Sequence, residues 1–480
     1  MQPEGRRLGL TRQEAGRLLT RKAGIALSVV VALLACCAVW VHVRPSRDRE
    51  QTPALAAAEA RQPAIGVRSA DGESGALPSG EAASVAEDVL KGAFVSGQGS
   101  WPTYRHDEGR TAATPGNLPK RPAVAWHVQV TDFTPGVQSL GAPVVSGGRV
   151  YVCTSTSELV CLDAKTGESL WRADLPPMEG FSLKAPSTPT VVGDTVYATE
   201  GSELYAVDKD TGEVLWRADR PDDGMGRAVS PLPHLASGVA LVCPFVWGTI
   251  RDPGPLPVNG FSARTGRLLW RVGREVEWGG RFEAIAGTGN GIAFFTRGDQ
   301  LVGLDVATGS VRYRRRVPER ERGDLPRHVA VRAGRVVLWG YAPNPLYVWR
   351  YERRQQPLAV LWEPEGQEIH DIALWEDGAV VHANRQLVCL DWRGEVLWEV
   401  EYGPGYVAAG PVIAGTKVVA PGDGVASPDL TAYDLGTGDR LWQMSLEAGA
   451  GAHAGLAVAG GAVYATSKYG VLSCVGEAQD

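Results

Sequence analysis

Five aspartates are the first residues in this 480-residue chain that suggest chemistry: Asp163, Asp208, Asp305, Asp391 and Asp434. Carboxylates ligate hard cations such as calcium, and they serve as general bases. Each of the five, however, is followed within a few residues by a Gly, as in Asp208-Lys209-Asp210-Thr211-Gly212. An Asp so placed bonds its carboxylate to backbone N–H groups two or three residues on, and the Gly takes the left-handed conformation that closes a type I turn with a bulge. These carboxylates are therefore expected to cap turns.

Other chemical signals are thin. The eight His residues are His42, His106, His127, His234, His328, His370, His382 and His453, with no pair at metal-ligand spacing. His370 and Asp371 are neighbours, which at a strand start reads as chance. The chain has no Gly-x-Ser-x-Gly elbow, no phosphate loop and no Cys-x-x-Cys-His haem motif. Cys161, Cys389 and Cys474 hold the same place in a repeat as Ala206, Gly260, Gly303 and Ala432, so small size explains them. Cys153 and Cys161 lie on adjacent strands of one hairpin, and export would permit a disulfide between them.

The elements that carry these residues repeat. Residues 204–217 read as an apolar run, a tight turn and a second apolar run ending in Trp216-Arg217. The pattern recurs at 159–172, 258–271, 301–314, 387–399 and 430–443, and with a longer turn at 346–363. Residues 471–476 supply only a first half; the matching second half, 122–130, lies at the other end, with Trp126 in the Trp place. The aromatic series is Trp126, Trp171, Trp216, Trp270, Tyr313, Trp362, Trp398 and Trp442. Each ring is expected to dock against the small residue and turn of an adjacent unit. Two more short strands with a Gly turn precede each first half, as at 142–145 and 150–153, giving four strands per unit. A linear stack would leave sheet edges open. A ring of radial blades protects them, and a unit split between the ends is what ring closure needs. The expected fold is all-β: an eight-bladed β-propeller over residues 101–480, closed by pairing of N- and C-terminal strands.

The pattern Ala-x-Asp-x-x-Thr-Gly-x-x-x-Trp, matched in full by Ala206, Asp208, Thr211, Gly212 and Trp216, resembles the repeat of the pyrroloquinoline-quinone-type, or quinoprotein-like, propellers. The resemblance covers nearly all of 101–480. Trp101-Pro102-Thr103-Tyr104-Arg105-His106-Asp107, followed by Arg110, is similar to the lead-in of many bacterial members. One branch of that superfamily comprises alcohol and glucose dehydrogenases holding the quinone and calcium in the propeller axis. Another is non-enzymatic and includes the lipoprotein scaffold of outer-membrane β-barrel assembly, which this chain resembles in blade number and size. A quinone–calcium site needs oxygen ligands and a catalytic carboxylate converging on the axis. The related dehydrogenases also carry a disulfide between neighbouring Cys residues; the only such pair here, Cys36-Cys37, lies in an apolar segment outside the propeller. No catalytic, cofactor-binding or metal-ligating residue is assigned, and quinone with calcium is expected only under an alternative, oxidoreductase reading.

Before the propeller, residues 1–22 are basic and residues 23–43 are apolar and uncharged, long enough to span a bilayer. The preceding Lys/Arg excess orients such a helix with its N-terminus cytoplasmic. A competing reading is a lipoprotein signal, since Leu33-Leu34-Ala35-Cys36 resembles a lipobox with Cys36 as the acylated residue. Either reading gives a membrane-tethered, extracytoplasmic propeller, inner-membrane and periplasmic in the first case. Residues 44–100, rich in Ala, Gly, Ser, Pro and Glu, read as a flexible linker. The net charge of −6 and an acidic propeller argue against nucleic-acid partners.

Variable loops on a rigid scaffold are where function concentrates. The tight Asp-to-Gly turns share one face, so the longer connections share the other. That face offers Phe181, Phe245, Trp247, Arg251, Trp278, Tyr341, Tyr402 and Tyr406. Aromatics with Arg are the composition of a protein-binding patch. The expected function is a non-catalytic protein-binding scaffold of the cell envelope, with envelope proteins as partners. Besides the quinone-dependent oxidoreductase, an extracellular sensor needing a signalling partner is a third reading.

Overall fold

The computed structural model describes residues 99–133, 139–176, 186–201, 203–218, 232–242, 257–272, 287–297, 299–318, 326, 328–340, 344–353, 355–364, 367–384, 386–401, 409–421, 429–446 and 455–479. The expected anchor at 23–43, Cys36 and most of the linker lie outside them. Among the described residues, no helix is long and apolar enough to cross a membrane.

The strands form eight sheets, one per four-stranded blade, and the lead-in adds a fifth, two-residue strand to one of them. Blade 1 covers 144–174, blade 2 190–218, blade 3 234–272, blade 4 287–316, blade 5 328–362, blade 6 369–401 and blade 7 412–445. Blade 8 is the split unit: Pro122–Gln129 pairs antiparallel with Val471–Glu477, setting Trp126 opposite Cys474. The chain ends close the ring as the sequence predicts. The first strand of each blade is innermost, in contact with first strands of neighbouring blades.

The repeated turn behaves as its residue types dictate. The Asp208 carboxylate accepts from the N–H of Asp210 at 3.0 Å and of Thr211 at 2.8 Å. Gly212 has φ +78° and donates to the Asp208 carbonyl at 2.9 Å. Asp163, Asp305, Asp391 and Asp434 cap their own turns likewise. Backbone bonds such as Ala164 N–H to Gly148 O, and Lys209 N–H to Asp194 O, tie the two tight turns of a blade together on one face.

The aromatic series fastens each blade to the next, with one correction. The turn Gly comes from the following blade, but the small residue lies in the same blade as the ring. Ala206 is paired directly with Trp216, and Cys161 with Trp171. Trp171 then lies over Gly212 of blade 2 and donates its indole N–H to Lys209 O at 3.1 Å. Trp270 does the same to Val306 O at 2.9 Å, Trp398 to Leu435 O at 2.7 Å and Trp126 to Ala164 O at 3.2 Å. Trp442 meets Pro119 O of the lead-in at 2.8 Å. In blade 5 the residue paired with Trp362 is Leu346, so that unit lacks the small partner.

Every blade carries a bulge at the residue before its docking aromatic: Leu170, Leu215, Leu269, Arg312, Leu361, Leu397, Leu441 and Ala125 are the extra residues. A bulge turns the following side chain and twists the strand. Here it aims the ring at the next blade. Cys153 and Cys161 are free thiols, and the register sets Cys161 opposite Tyr151 and Cys153 opposite Leu159.

Candidate functional site

The lead-in segment, residues 101–114, crosses the propeller axis and bonds to one innermost strand after another. Trp101 exchanges both backbone bonds with Val145 of blade 1, at 2.7 and 2.8 Å. Pro102 O accepts from Val191 of blade 2 at 2.7 Å. Arg110 reaches His234 of blade 3, with 3.1 Å between Nη2 and Nδ1. Glu108 O accepts from Thr288 of blade 4 at 2.8 Å, Gly109 O from Val331 of blade 5 at 2.7 Å, and Thr111 O from Leu374 of blade 6 at 2.7 Å. Ala113–Thr114 then runs parallel to the first strand of blade 7. The segment thus bonds to seven blades, and from there the chain enters blade 8.

The sequence permits this path at some conformational cost. Arg105, His106, Arg110 and Ala112 have φ between 53° and 77°, in the left-handed region that ordinary residues avoid. Gly109 is required for proximity: a Cβ there would sit 2.1 Å from Val331 O.

Two buried cations dominate the electrostatics. Arg105 is ion-paired with Asp371 of blade 6, donates its Nε–H to Arg110 O at 3.1 Å and lies 5.2 Å over the Trp339 ring of blade 5. Gly410 makes room for that pair, since a Cβ there would lie 2.1 Å from Asp371 Oδ2. Burial pushes the Arg110 guanidinium down to about 9, against the pull of Tyr104 and Asp107, so it stays charged at neutral pH. Burial, then the Arg110 charge, holds His234 well below the usual histidine range. A neutral His234 accepts from Arg110 at Nδ1, which leaves Nε2 to donate to Thr288 Oγ1. Burial and the neighbouring Asp107 raise Glu108 to about 7.

A cavity of about 30 Å3 remains beside this segment, lined by Trp101, Tyr104, Arg105, Asp371 and residues of blades 7 and 8 among others. That is space on the order of one or two waters. The tricyclic quinone of the superfamily's enzymes would need many times that volume. The one carboxylate on the cavity wall, Asp371, is committed to Arg105. Among the described residues, no cluster of three or more His, Cys, Asp or Glu is arranged to hold a metal ion. The cavity beside the lead-in therefore does not fit a tricyclic quinone.

Residues 119–244, 257–367, 348–443 and 426–479 match the family described as outer membrane protein assembly factor BamB. The chain belongs to this family. No curated protein matches it in sequence. Among solved structures, a quinohemoprotein alcohol dehydrogenase from Comamonas testosteroni superposes with a TM-score of 0.63 at 15% identity, over 83% of this chain and 85% of that one. A europium-containing methanol dehydrogenase gives 0.60 at 14% identity, over 79% and 91%. The computationally designed Ika8 protein gives 0.51 at 14%, over 72% and 98%. At these identities the likeness is one of fold.

Within this BamB-type propeller, the residues singled out from sequence fall into three groups. Of the aromatics, Trp126, Trp171, Trp270 and Trp398 bond into the next blade and Trp216 lies over its Gly266, while the five aspartates cap turns. The partner-face candidates Phe181, Phe245, Trp247, Arg251, Trp278, Tyr341, Tyr402 and Tyr406 lie outside the described residues. The axial group was only half legible. The lead-in was recognisable, and His370 and Asp371 act apart from each other as expected, but the role of Asp371 was missed: it holds Arg105, while His370 packs 5.4 Å from His382. His370 stands at a register shift between Ile369 and Asp371, so strict alternation would not have separated the two.

Proposed function

We propose that this chain is a non-catalytic protein-binding scaffold of the cell envelope, held at a membrane by residues 23–43 with the propeller on the extracytoplasmic side. The lipoprotein alternative, acylation at Cys36, gives the same placement. One observation carries the non-catalytic part: the lead-in segment lies across the axis and bonds to the inner strands there, leaving a cavity of about 30 Å3. Membership of the BamB family supports protein binding as the activity. The proposed surface is the face opposite the tight turns, with Phe245, Trp247, Arg251, Trp278, Tyr341, Tyr402 and Tyr406 as contact residues. Large aromatics and Arg dominate binding energy where they are desolvated at the centre of an interface.

The test is capture of envelope proteins by the purified exported domain and by its Trp247→Ala and Tyr341→Ala variants. Weaker capture at an unchanged melting temperature supports the assignment; unchanged capture profiles would remove this face from consideration. The quinone-dependent alternative has only the fold in its favour.

A further inference from the structure

The mild net charge conceals a strong local asymmetry. Residues 287–362, which make up blades 4 and 5 and the connection between them, contain thirteen Arg, no Lys and six Asp or Glu. The rest of 101–480 carries 23 basic residues against 38 acidic ones. An acidic propeller thus has one basic sector, which its total charge had hidden.

Blade 4 also departs from the repeat on its outer edge. In other blades the bulge residue is Leu or Ala and the docking ring is Trp; in blade 4 they are Arg312 and Tyr313. The outer strand, Val311–Arg316, reads Val-Arg-Tyr-Arg-Arg-Arg, with Arg312, Arg314 and Arg316 exposed and Tyr313 and Arg315 half-buried between them. No other described outer strand has more than one Arg. Alternate residues of a strand project to one side at a spacing of roughly 7 Å. Arg315 is oriented by lying 5.1 Å over the Trp349 ring of blade 5. Arg314, Arg315 and Arg316 border an open recess of about 470 Å3 together with Asp299 and Gln300. Arg312 meets Asp305 at 2.9 Å and Arg316 meets Asp299 at 2.7 Å, both on the surface, where such pairs are weak and exchangeable.

We propose that Val311–Arg316 is a docking edge for an extended acidic segment of a partner protein, with carboxylates at alternate positions. An outer strand offers backbone N–H and C=O groups for pairing, the mode in which a peptide adds a strand to a sheet. A partner strand repeats its side chains at the same spacing, so alternate Asp or Glu residues meet Arg314 and Arg316 in register, on the regular part of the strand beyond the bulge at Arg312. Guanidinium groups grip carboxylates through two parallel bonds, which suits an all-Arg row. Asp299 and Asp305 beside that row oppose a uniformly anionic surface but leave room for spaced carboxylates. The proposal rests on the scaffold reading and adds a second contact region to it.

The probe is a labelled peptide alternating Glu and Thr, compared with a block peptide of the same composition, both titrated against the full chain. The alternating peptide is expected to bind with marked salt sensitivity and about threefold or more above the block peptide. Arg314→Glu/Arg316→Glu should weaken it about tenfold or more, and Arg314→Gln, a milder change, by several-fold. Arg264→Glu, on an exposed turn of blade 3, should leave binding unchanged. Amides of Val311–Arg316 should gain hydrogen-exchange protection when the peptide binds. Equal binding of the two peptides, or an equal loss in Arg264→Glu, would overturn the proposal. So would preferential binding to vesicles of phosphatidylglycerol and phosphatidylcholine or to a DNA oligonucleotide. Self-association abolished by Arg314→Glu/Arg316→Glu would overturn it in favour of a second copy, whose blade 6 edge exposes Glu399 and Glu401. Peptide binding that survives in Trp247→Ala separates a failure of the long-loop face from a failure of this edge.

Discussion

Replacing Gly212 with Ala should destabilise the propeller by about 3 kcal/mol, from two separable contributions. Gly212 has φ +78°, and an L side chain in that region costs roughly 1–2 kcal/mol. Its Cβ would also lie 2.7 Å from Cε3 and 2.8 Å from Cδ2 of Trp171 in the preceding blade. The Trp ring is held by its own bond to Lys209 O and cannot retreat freely, so overpacking adds roughly 1–3 kcal/mol. Gly193, on the other turn of the same blade, is the control: φ is +59°, but nothing lies within 4 Å of its Cβ position. Gly193→Ala should show the backbone cost alone. For a domain of roughly 380 residues, about 3 kcal/mol lowers Tm by about 4 °C, and the control by about half that or less. Calorimetry on both variants, with Gly212→Ala repeated in a Trp171→Leu background, gives the coupling directly. In that background the cost at 212 should fall to the cost at 193. Equal costs at 193 and 212 in the wild-type background would refute the blade-docking role of the ring.

Other outcomes follow from the axis and the buried acids. Asp371→Asn leaves Arg105 as a buried cation without its carboxylate and should cost about 3 kcal/mol or more, measured by denaturant unfolding; Arg105→Met/Asp371→Leu should cost less than Asp371→Asn alone. Glu108 and Glu200 are each raised to about 7 by burial, with Asp107 and Glu203 adding to the effect. The folded state then binds more protons than the unfolded one between the ordinary carboxylate value and about 7. Stability should therefore fall as pH rises through that window and level off above it, and Glu108→Gln/Glu200→Gln should flatten the Tm profile. Asp208 and Asp163 act in the opposite sense: the N–H groups of Thr211 and Thr166 hold them below the usual carboxylate range, so stability is lost at acid pH as they protonate. Burial pushes the Cys153 and Cys161 thiols up to about 12, so both should resist a thiol reagent until the protein unfolds.

The ring and its closure were legible because turn chemistry is local. An Asp that caps, a Gly that turns left-handed and an aromatic that needs a seat leave their mark at fixed spacing, and Trp126 with 471–476 showed how the ends join. Adjacency across blades was harder to read. Ala206 was expected to seat a neighbour's ring and instead faces Trp216 of its own blade. In five of the eight blades the bulge left a trace, two aliphatic residues in succession before the ring as in Val214-Leu215, which breaks strict alternation. The axial role of Asp371 depends on Arg105, 266 residues earlier, and no local pattern reports such a pair. The basic sector was present in the composition but averaged away in the total charge.

The central claim, an axis closed by the protein's own lead-in, is tested most directly by titrating the full chain with pyrroloquinoline quinone and calcium in a calorimeter. No saturable heat is expected from the wild-type protein. Stoichiometric uptake of the quinone, abolished by removing calcium, would contradict the scaffold reading and place this chain with the enzymes of its fold.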